Sequence, residues 1–188
     1  MCVIYSGERV RLRPFADGDE FARLKLAANR EPNVHWGPLH IAERTYGRQF
    51  AAAGLLDPQV YCEFAVERLD TGELVGREEW GPVKPGAIST TIGTEILPAH
   101  QHQGFGIEAK LLALSFLFES YPIQTVGATT VSTHVRAQQG LVACGMRLIG
   151  TLRRVLIKDG RYAHLLKYCI FRDEWEQLPI RRIVKRGA

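Results

Sequence analysis

A largely apolar helix points to burial inside a fold, and this chain carries one. The helical stretch 105–119 contains Leu111-Leu112-Ala113-Leu114-Ser115-Phe116-Leu117-Phe118, too short to cross a membrane and long enough for a buried helix. It follows a strand over 87–97 that is rich in Ile and Thr and that Pro98 ends. Between strand and helix lies Gln101-His102-Gln103-Gly104-Phe105-Gly106. The helix must therefore be covered by sheet and by other helices, and a glycine turn governs its entry.

The rest of the chain supplies those elements. Val10-Arg11-Leu12-Arg13-Pro14 alternates apolar and basic residues and predicts a first strand. Asp17 with Glu20 three residues on has capping-box spacing, and Phe21, Leu24, Leu26, Ala27 and Ala28 give the helix its apolar face. Glu31-Pro32-Asn33 breaks that helix, and a second is predicted over 42–54. Strands over 60–68 and 73–80, joined at Leu69-Asp70-Thr71-Gly72, form an antiparallel meander with 87–97. A β-branched strand over 125–133, a helix over 135–144 closed by Gly145 and a hairpin of 148–158 with 161–171 across Asp159-Gly160 complete the pattern. A last turn holds Asp173-Glu174-Trp175. The order β-α-α-β-β-β-α-β-α-β-β is α+β with a mixed sheet, not repeated βαβ.

Composition limits the function classes. With 46% hydrophobic and 23% charged residues over 188 positions, the chain is no disordered segment and suits one domain, 1–180, followed by a basic tail, 181–188. The N-terminus has no basic-then-apolar signal pattern, which predicts a cytoplasmic protein with no membrane partner. Four cysteines form no C-x-x-C pair and six histidines no H-x-x-x-H or H-E-x-x-H spacing, so no metal site is expected. Cys62 and Cys169 read as core thiols. Charge is segregated: residues 1–95 hold 11 basic and 14 acidic side chains, and 96–172 hold 9 basic and 3 acidic. The basic half suits an anionic ligand and the acidic half a cationic one. Nucleic acid is disfavoured as a partner, because basic and aromatic residues do not interleave.

The glycine turn is where such an anion would bind. A helix that starts there aims free N–H groups and its positive dipole end at whatever lies in front, which suits a phosphate. Gly104-x-Gly106-x-x-Ala109 fits a dinucleotide fingerprint, but the strand before it ends a meander, six residues intervene, and Val126 stands where an acid would be needed.

These segments together resemble the GNAT superfamily of acyl-CoA-dependent N-acyltransferases, in particular its RimJ/RimL-type branch of ribosomal-protein N-terminal acetyltransferases. The likeness runs from Arg9-Val10-Arg11-Leu12-Arg13-Pro14 through Glu31-Pro32-Asn33-Val34, Asp70-Thr71-Gly72-Glu73-Leu74-Val75-Gly76 and Ile92-Gly93-Thr94. Gln101-x-x-Gly104-x-Gly106 followed by Glu108-Ala109 matches the [QR]-x-x-G-x-[GA] acyl-CoA motif. The branch's N-x-x-S…G-F element falls on His134-x-x-Ala137…Gly145-Met146, and Gly150-Thr151-Leu152-Arg153, Gly160-Arg161 and Glu174-Trp175 match its closing hairpin and end.

The resemblance implies a single α+β domain with a central mixed, mostly antiparallel, splayed sheet flanked by helices. It implies acetyl-CoA as co-substrate, its pantetheine arm between splayed strands beside Glu95, Ile96 and Leu97. The pyrophosphate would lie on the N–H groups of Gln101, His102, Gln103, Gly104, Phe105 and Gly106. His102 would be an extra cation in a turn that lacks Arg and Lys, and His134 would bond the cofactor. A primary amine would attack the thioester directly in a ternary complex, an N–H near Ile96 would receive the oxyanion, and the thiolate of CoA would leave. Glu95 is the candidate base, with Glu78 and Glu79 next; being adjacent, those two point to opposite faces. His134 is also a candidate acid, because the position of the family's frequent general-acid tyrosine is Leu141 and the element's Asn and Ser are His134 and Ala137. Those departures keep a second reading open, a non-catalytic acyl-CoA-binding module. The acceptor, a small molecule or a peptide amine, stays open, as does a homodimer. Trp36, His35 and Trp80 are candidates for the acceptor side.

Overall fold

The computed structural model describes residues 5–29, 50–51, 55–158, 160–179 and 185–186. The break at Glu31-Pro32-Asn33, Trp36, His35 and most of the helix expected over 42–54 lie outside these residues; Phe50 and Ala51 are helical. Ten strands are described: β1 (Tyr5–Ser6), β2 (Val10–Arg13), β3 (Leu56–Asp57), β4 (Tyr61–Arg68), β5 (Leu74–Trp80), β6 (Ser89–Ile96), β7 (Thr125–Val131), β8 (Arg147–Lys158), β9 (Arg161–Phe171) and β10 (Lys185–Arg186). The described helices are α1 (Gly18–Asn29), α2 (Phe105–Ser120), α3 (Val135–Ala143) and α4 (Arg172–Glu176), with a 3-10 turn at Pro98–His100. The sheet runs β10-β1-β2-β4-β5-β6-β7-β9-β8, with β3 paired to β4 off that path. Every pair is antiparallel except β6 with β7. The predicted meander is β4-β5-β6. The two-residue strands β1, β3 and β10 are too short to leave a period in the sequence. β10 takes its residues from the basic 181–188 segment and pairs with β1.

Alternation along the strands gives the sheet two different faces. Cys62, Phe64 and Val66 of β4 join Val75, Trp80, Ile92 and the apolar residues of α2 in the main core. Trp80 is buried there, stacked on Phe64 with ring centroids 4.4 Å apart, so it packs the core and does not line an acceptor cleft. Removing Leu or Phe side chains of this kind from water contributes about 1.5–3 kcal/mol each. Cys62, Tyr168 and Cys169 are buried too. The apolar helix is thus enclosed as its sequence required. Its C-terminal end is finished by Arg172, whose guanidinium donates to the carbonyls of Phe118, Tyr121 and Ile123.

The other face packs α1. Phe21 and Leu24 meet Phe15, Leu55 and Ala65, with Leu74 and Leu97 alongside. The capping box is present in altered form: Glu20 N–H donates to Asp17 Oδ1 at 2.8 Å, while Glu20 Oε2 accepts from Ala16 N–H at 2.7 Å. Glu20 also pairs with the buried Arg13, whose hydrogen bond holds the Glu20 carboxyl below its ordinary range. Arg13 bonds Glu67 on β4 in turn, which ties the start of α1 to the sheet.

Candidate active site

β6 and β7 pair over only three residues, Ser89–Thr91 with Thr125–Gly127, and then separate. Each keeps its other neighbour: β6 stays on β5 to Ile96, and β7 stays on β9 to Val131. The sheet therefore opens into a gap whose walls are two unpaired strand edges.

Register decides which peptide groups face that gap. Gly81 N–H donates to the Thr91 carbonyl and Leu97 N–H to the Val75 carbonyl, both at 2.9 Å. These bonds make Ile92/Trp80, Thr94/Glu78 and Ile96/Gly76 the wide pairs, whose own peptide groups point away from each other. Thr94 and Ile96 consequently turn N–H and C=O toward β7. By the same argument, Arg172 N–H on Gln124 and Ser132 N–H on His164 turn Thr129 and Val131 toward β6. The Ile96 carbonyl accepts from Gln101 Nε2 at 2.9 Å, and the Val131 carbonyl accepts from His134 N–H at 2.9 Å. The peptide N–H of Glu95 points instead at β5, and that of Leu97 is committed to Val75. Of the three residues expected to offer pantetheine their backbone, Ile96 has the orientation, and Thr94 joins it. Leu97 places its side chain in the α1 core.

The gap opens beside the glycine turn. Among the described residues, the backbone N–H groups of His102, Gln103, Gly104, Phe105 and Gly106 donate no hydrogen bond, and no side chain caps α2. Gly104 has φ +81°, and a Cβ there would come within 2.8 Å of the Arg9 guanidinium. Arg9 is the fixing residue: Nε donates to Glu108 Oε2 at 3.0 Å and Nη1 to the Gln103 carbonyl at 2.6 Å. Its own N–H and that of Val10 donate to Glu108 Oε1. Because the peptide is planar and trans, a Gln103 carbonyl held toward Arg9 aims the Gly104 N–H away from it.

His102 Nε2 lies 3.1 Å from Arg136 Nη1, and since a guanidinium only donates, the ring nitrogen is the acceptor of that contact. Arg136, in the first turn of α3, is the cation at this end. The contact joins the β6 side of the opening to the β7 side. His134 occupies the N-cap of α3 on that same β7 side.

Glu95 lies on the face opposite α2, within a charged group built by β4, β5 and β6. Arg77 Nε donates to Glu95 Oε2 at 2.6 Å and Nη1 to Glu63 Oε1 at 2.8 Å. Glu79 accepts from both Arg77 and the Tyr61 hydroxyl. Three carboxylates thus surround one guanidinium; burial works to lower its pKa, the charges of Glu63 and Glu95 outweigh that and raise it, and burial pushes the Tyr61 phenol up. Glu95 and Glu79 remain 28% and 29% exposed, whereas Glu63 is buried. Glu79 and Glu78 do point to opposite faces, Glu78 lying fully buried under α2.

A splayed mixed sheet with an unguarded run of amides at one end of the gap suits an extended, anionic ligand. The sequence profile of the acetyltransferase (GNAT) domain matches residues 9–147, and the chain belongs to that family. Acetyl transfer, and not acyl-CoA binding without turnover, is the activity this membership carries, and the family's donor is acetyl-CoA. The uncharacterized N-acetyltransferase YoaA of Bacillus subtilis is 25% identical over 162 residues, covering 85% of this chain and 92% of that protein. Among solved structures, spermidine N-acetyltransferase from Vibrio cholerae in complex with CoA and spermine shares the fold with a TM-score of 0.78. It is 19% identical and covers 89% of this chain and 98% of the other. A GNAT-family acetyltransferase from Bacillus anthracis gives a TM-score of 0.74 at 17% identity, covering 92% and 99%. No described helix is long and apolar enough to cross a membrane.

Proposed function

We propose that this N-acetyltransferase binds acetyl-CoA in the β6/β7 gap and transfers the acetyl group to a cationic amine arriving from the Glu63/Glu79/Glu95 face. The observation that carries the reading is the pair of facing, unpaired strand edges. No neighbouring strand pairs the peptide N–H groups of Thr94, Ile96, Thr129 and Val131 that turn into the gap, and a chain of amides laid between these edges can pair with them. The diphosphate lies over the free N–H groups of 102–106, and Arg136 exchanges the His102 nitrogen for phosphate oxygens. Glu78 apart, the α2 face offers this ligand apolar packing around Ile96 and Gly106.

The amine attacks as the neutral base. Arg77 leaves the face with three carboxylates against one guanidinium, a field that draws in a cation and favours a polyamine or another multiply charged amine. Glu95, exposed enough to reach solvent, takes the proton directly or through water. An N–H of Thr94 or Ile96 stabilises the oxyanion. His134, beside the gap's mouth, bonds the donor. We place the chain in the RimJ/RimL-type branch on the motifs from Arg9 to Trp175, and in a cytoplasmic, single-domain setting.

Calorimetric titration with CoA, followed by thiol release from acetyl-CoA with spermidine, lysine and a peptide α-amine, tests the reading. Micromolar CoA binding with turnover on a multiply charged amine is expected. Absence of CoA binding refutes the assignment of the gap, and equal turnover on neutral and polycationic acceptors refutes the acceptor class.

A further inference from the structure

Glu78 is a buried carboxyl to which the preceding mechanism gives no task. It pairs with Thr94 across β5 and β6, on the face covered by α2. No group other than each other is placed to bond its oxygens and Thr94 Oγ1, and the hydroxyl acts on the carboxyl across the strand pair. β4 presents Phe64 to it, and α2 contributes Lys110, whose Nζ donates to the Gly106 carbonyl at 3.2 Å. Cys144, at the end of α3, is the other titratable group that senses it, and Arg77 acts from its own strand. Burial pushes the carboxyl up to about 8, against the lowering influence of Lys110, Thr94 and Arg77. At neutral pH Glu78 is therefore an acid with a proton to give. A buried carboxyl and a buried hydroxyl with no further hydrogen-bond partner are costly, and such a pair calls for a reason. Their position supplies it: the peptide group of Thr94 lines the gap where the strands part.

We propose that Thr94 and Glu78 form a proton relay to the sulfur of the departing CoA, with Thr94 the immediate donor and Glu78 a positioning residue and proton source behind it. The proposal rests on the acetyl-CoA reading of the gap. As the carbonyl-carbon–sulfur bond breaks, Thr94 Oγ1 gives its hydrogen to sulfur and takes the Glu78 proton. Glu78 is left as a carboxylate facing the Lys110 ammonium. The proton lost by the amine leaves on the opposite face, and Glu78 recovers one from solvent after the thiol and amide depart, so the cycle balances. Successive residues Thr94 and Glu95 thereby put acid and base on opposite sides of one strand. Leu141, buried where the family pattern has its tyrosine, leaves this duty unfilled on α3.

The test uses the full chain and the variants Glu78→Gln and Thr94→Val. In the ligand-free protein at pH 7, infrared difference spectroscopy should show a protonated carboxyl band that disappears near pH 8 and is missing in Glu78→Gln. Turnover is followed with saturating spermidine, whose own deprotonation raises the rate with pH, so that an alkaline fall reports the acid. Glu78→Gln should lower kcat by about 100-fold and abolish the alkaline fall of the pH profile, with KM for acetyl-CoA unchanged. Thr94→Val should do the same, and the double variant should be no slower than either single one. Wild-type kcat and an intact alkaline limb in Glu78→Gln, or no protonated band at pH 7, overturns the relay. If the wild type binds no CoA, the reading of the gap has failed and the relay with it; if it binds CoA and only the variants behave as wild type, the relay alone has failed.

Discussion

Arg77 on β5 and Glu95 on β6 are direct cross-strand partners, with Arg77 Nε 2.6 Å from Glu95 Oε2. The same guanidinium also holds Glu63 and Glu79. It sets how much negative charge the acceptor face presents and keeps Glu63 compensated in the interior.

Removing that guanidinium leaves three carboxylates facing one another, one of them buried. Arg77→Met should cost about 3 kcal/mol in urea unfolding, since breaking a buried pair strands its partner. Adding Glu63→Gln should restore part of the loss. Equal stability of Arg77→Met and wild type would show that Arg77 does not compensate Glu63.

Glu95→Gln keeps the shape of the strand and removes the exposed carboxylate nearest the gap. Turnover on a cationic acceptor should fall about 10- to 100-fold in kcat/KM, with CoA affinity unchanged, as thiol release and calorimetry would read. A parallel loss of CoA affinity would mean that Glu95 serves the donor.

Gly104 carries a positive φ, and its missing Cβ leaves room for the Arg9 guanidinium. Gly104→Val forces both apart. CoA affinity should drop at least about tenfold, through a turn that no longer aims its N–H groups, at a stability cost of about 1–3 kcal/mol. Affinity equal to wild type removes the turn from the site.

Arg136 is exposed, so Arg136→Ala should leave stability within about 0.5 kcal/mol. Its CoA affinity should be weaker and less sensitive to salt than that of the wild type, because one charge pair with phosphate is gone. Titrations at two ionic strengths read both effects.

Glu78 also makes stability depend on pH. Its folded pKa of about 8 stands above the ordinary 4.5, so between those values the folded chain holds a proton that the unfolded chain has released. Stability from this group is full below pH 4.5 and declines as pH rises through about 8, by a few kcal/mol in all. Glu78→Gln should flatten that slope in denaturation curves taken across the window. An unchanged slope would mean that Glu78 is ionised in the fold.

Much of this was legible along the chain. Alternation and turn residues marked the meander and the closing hairpin, and a continuous apolar run marked the buried helix, because each is long enough to show its pattern. The turn from Gln101 to Gly106 was legible because only glycine tolerates the backbone it needs at Gly104. Local pattern also assigned Glu78 and Glu79 to opposite faces, since alternation is a property of the single strand.

What the sequence could not express is pairing between strands far apart in the chain. The gap exists because β6 and β7 pair for three residues and then part, and hydrogen-bond phase, set by neighbours on the outer side of each strand, turns Thr94 and Ile96 inward and Leu97 away. Arg9 reaches the turn from 94 residues away and Arg136 reaches His102 from 34, so neither could be read from the turn itself. Residue types and local periods determined the elements and the chemistry available to this protein. Only tertiary contact, which decides what each charge and each peptide group faces, selected the residues that meet at the gap.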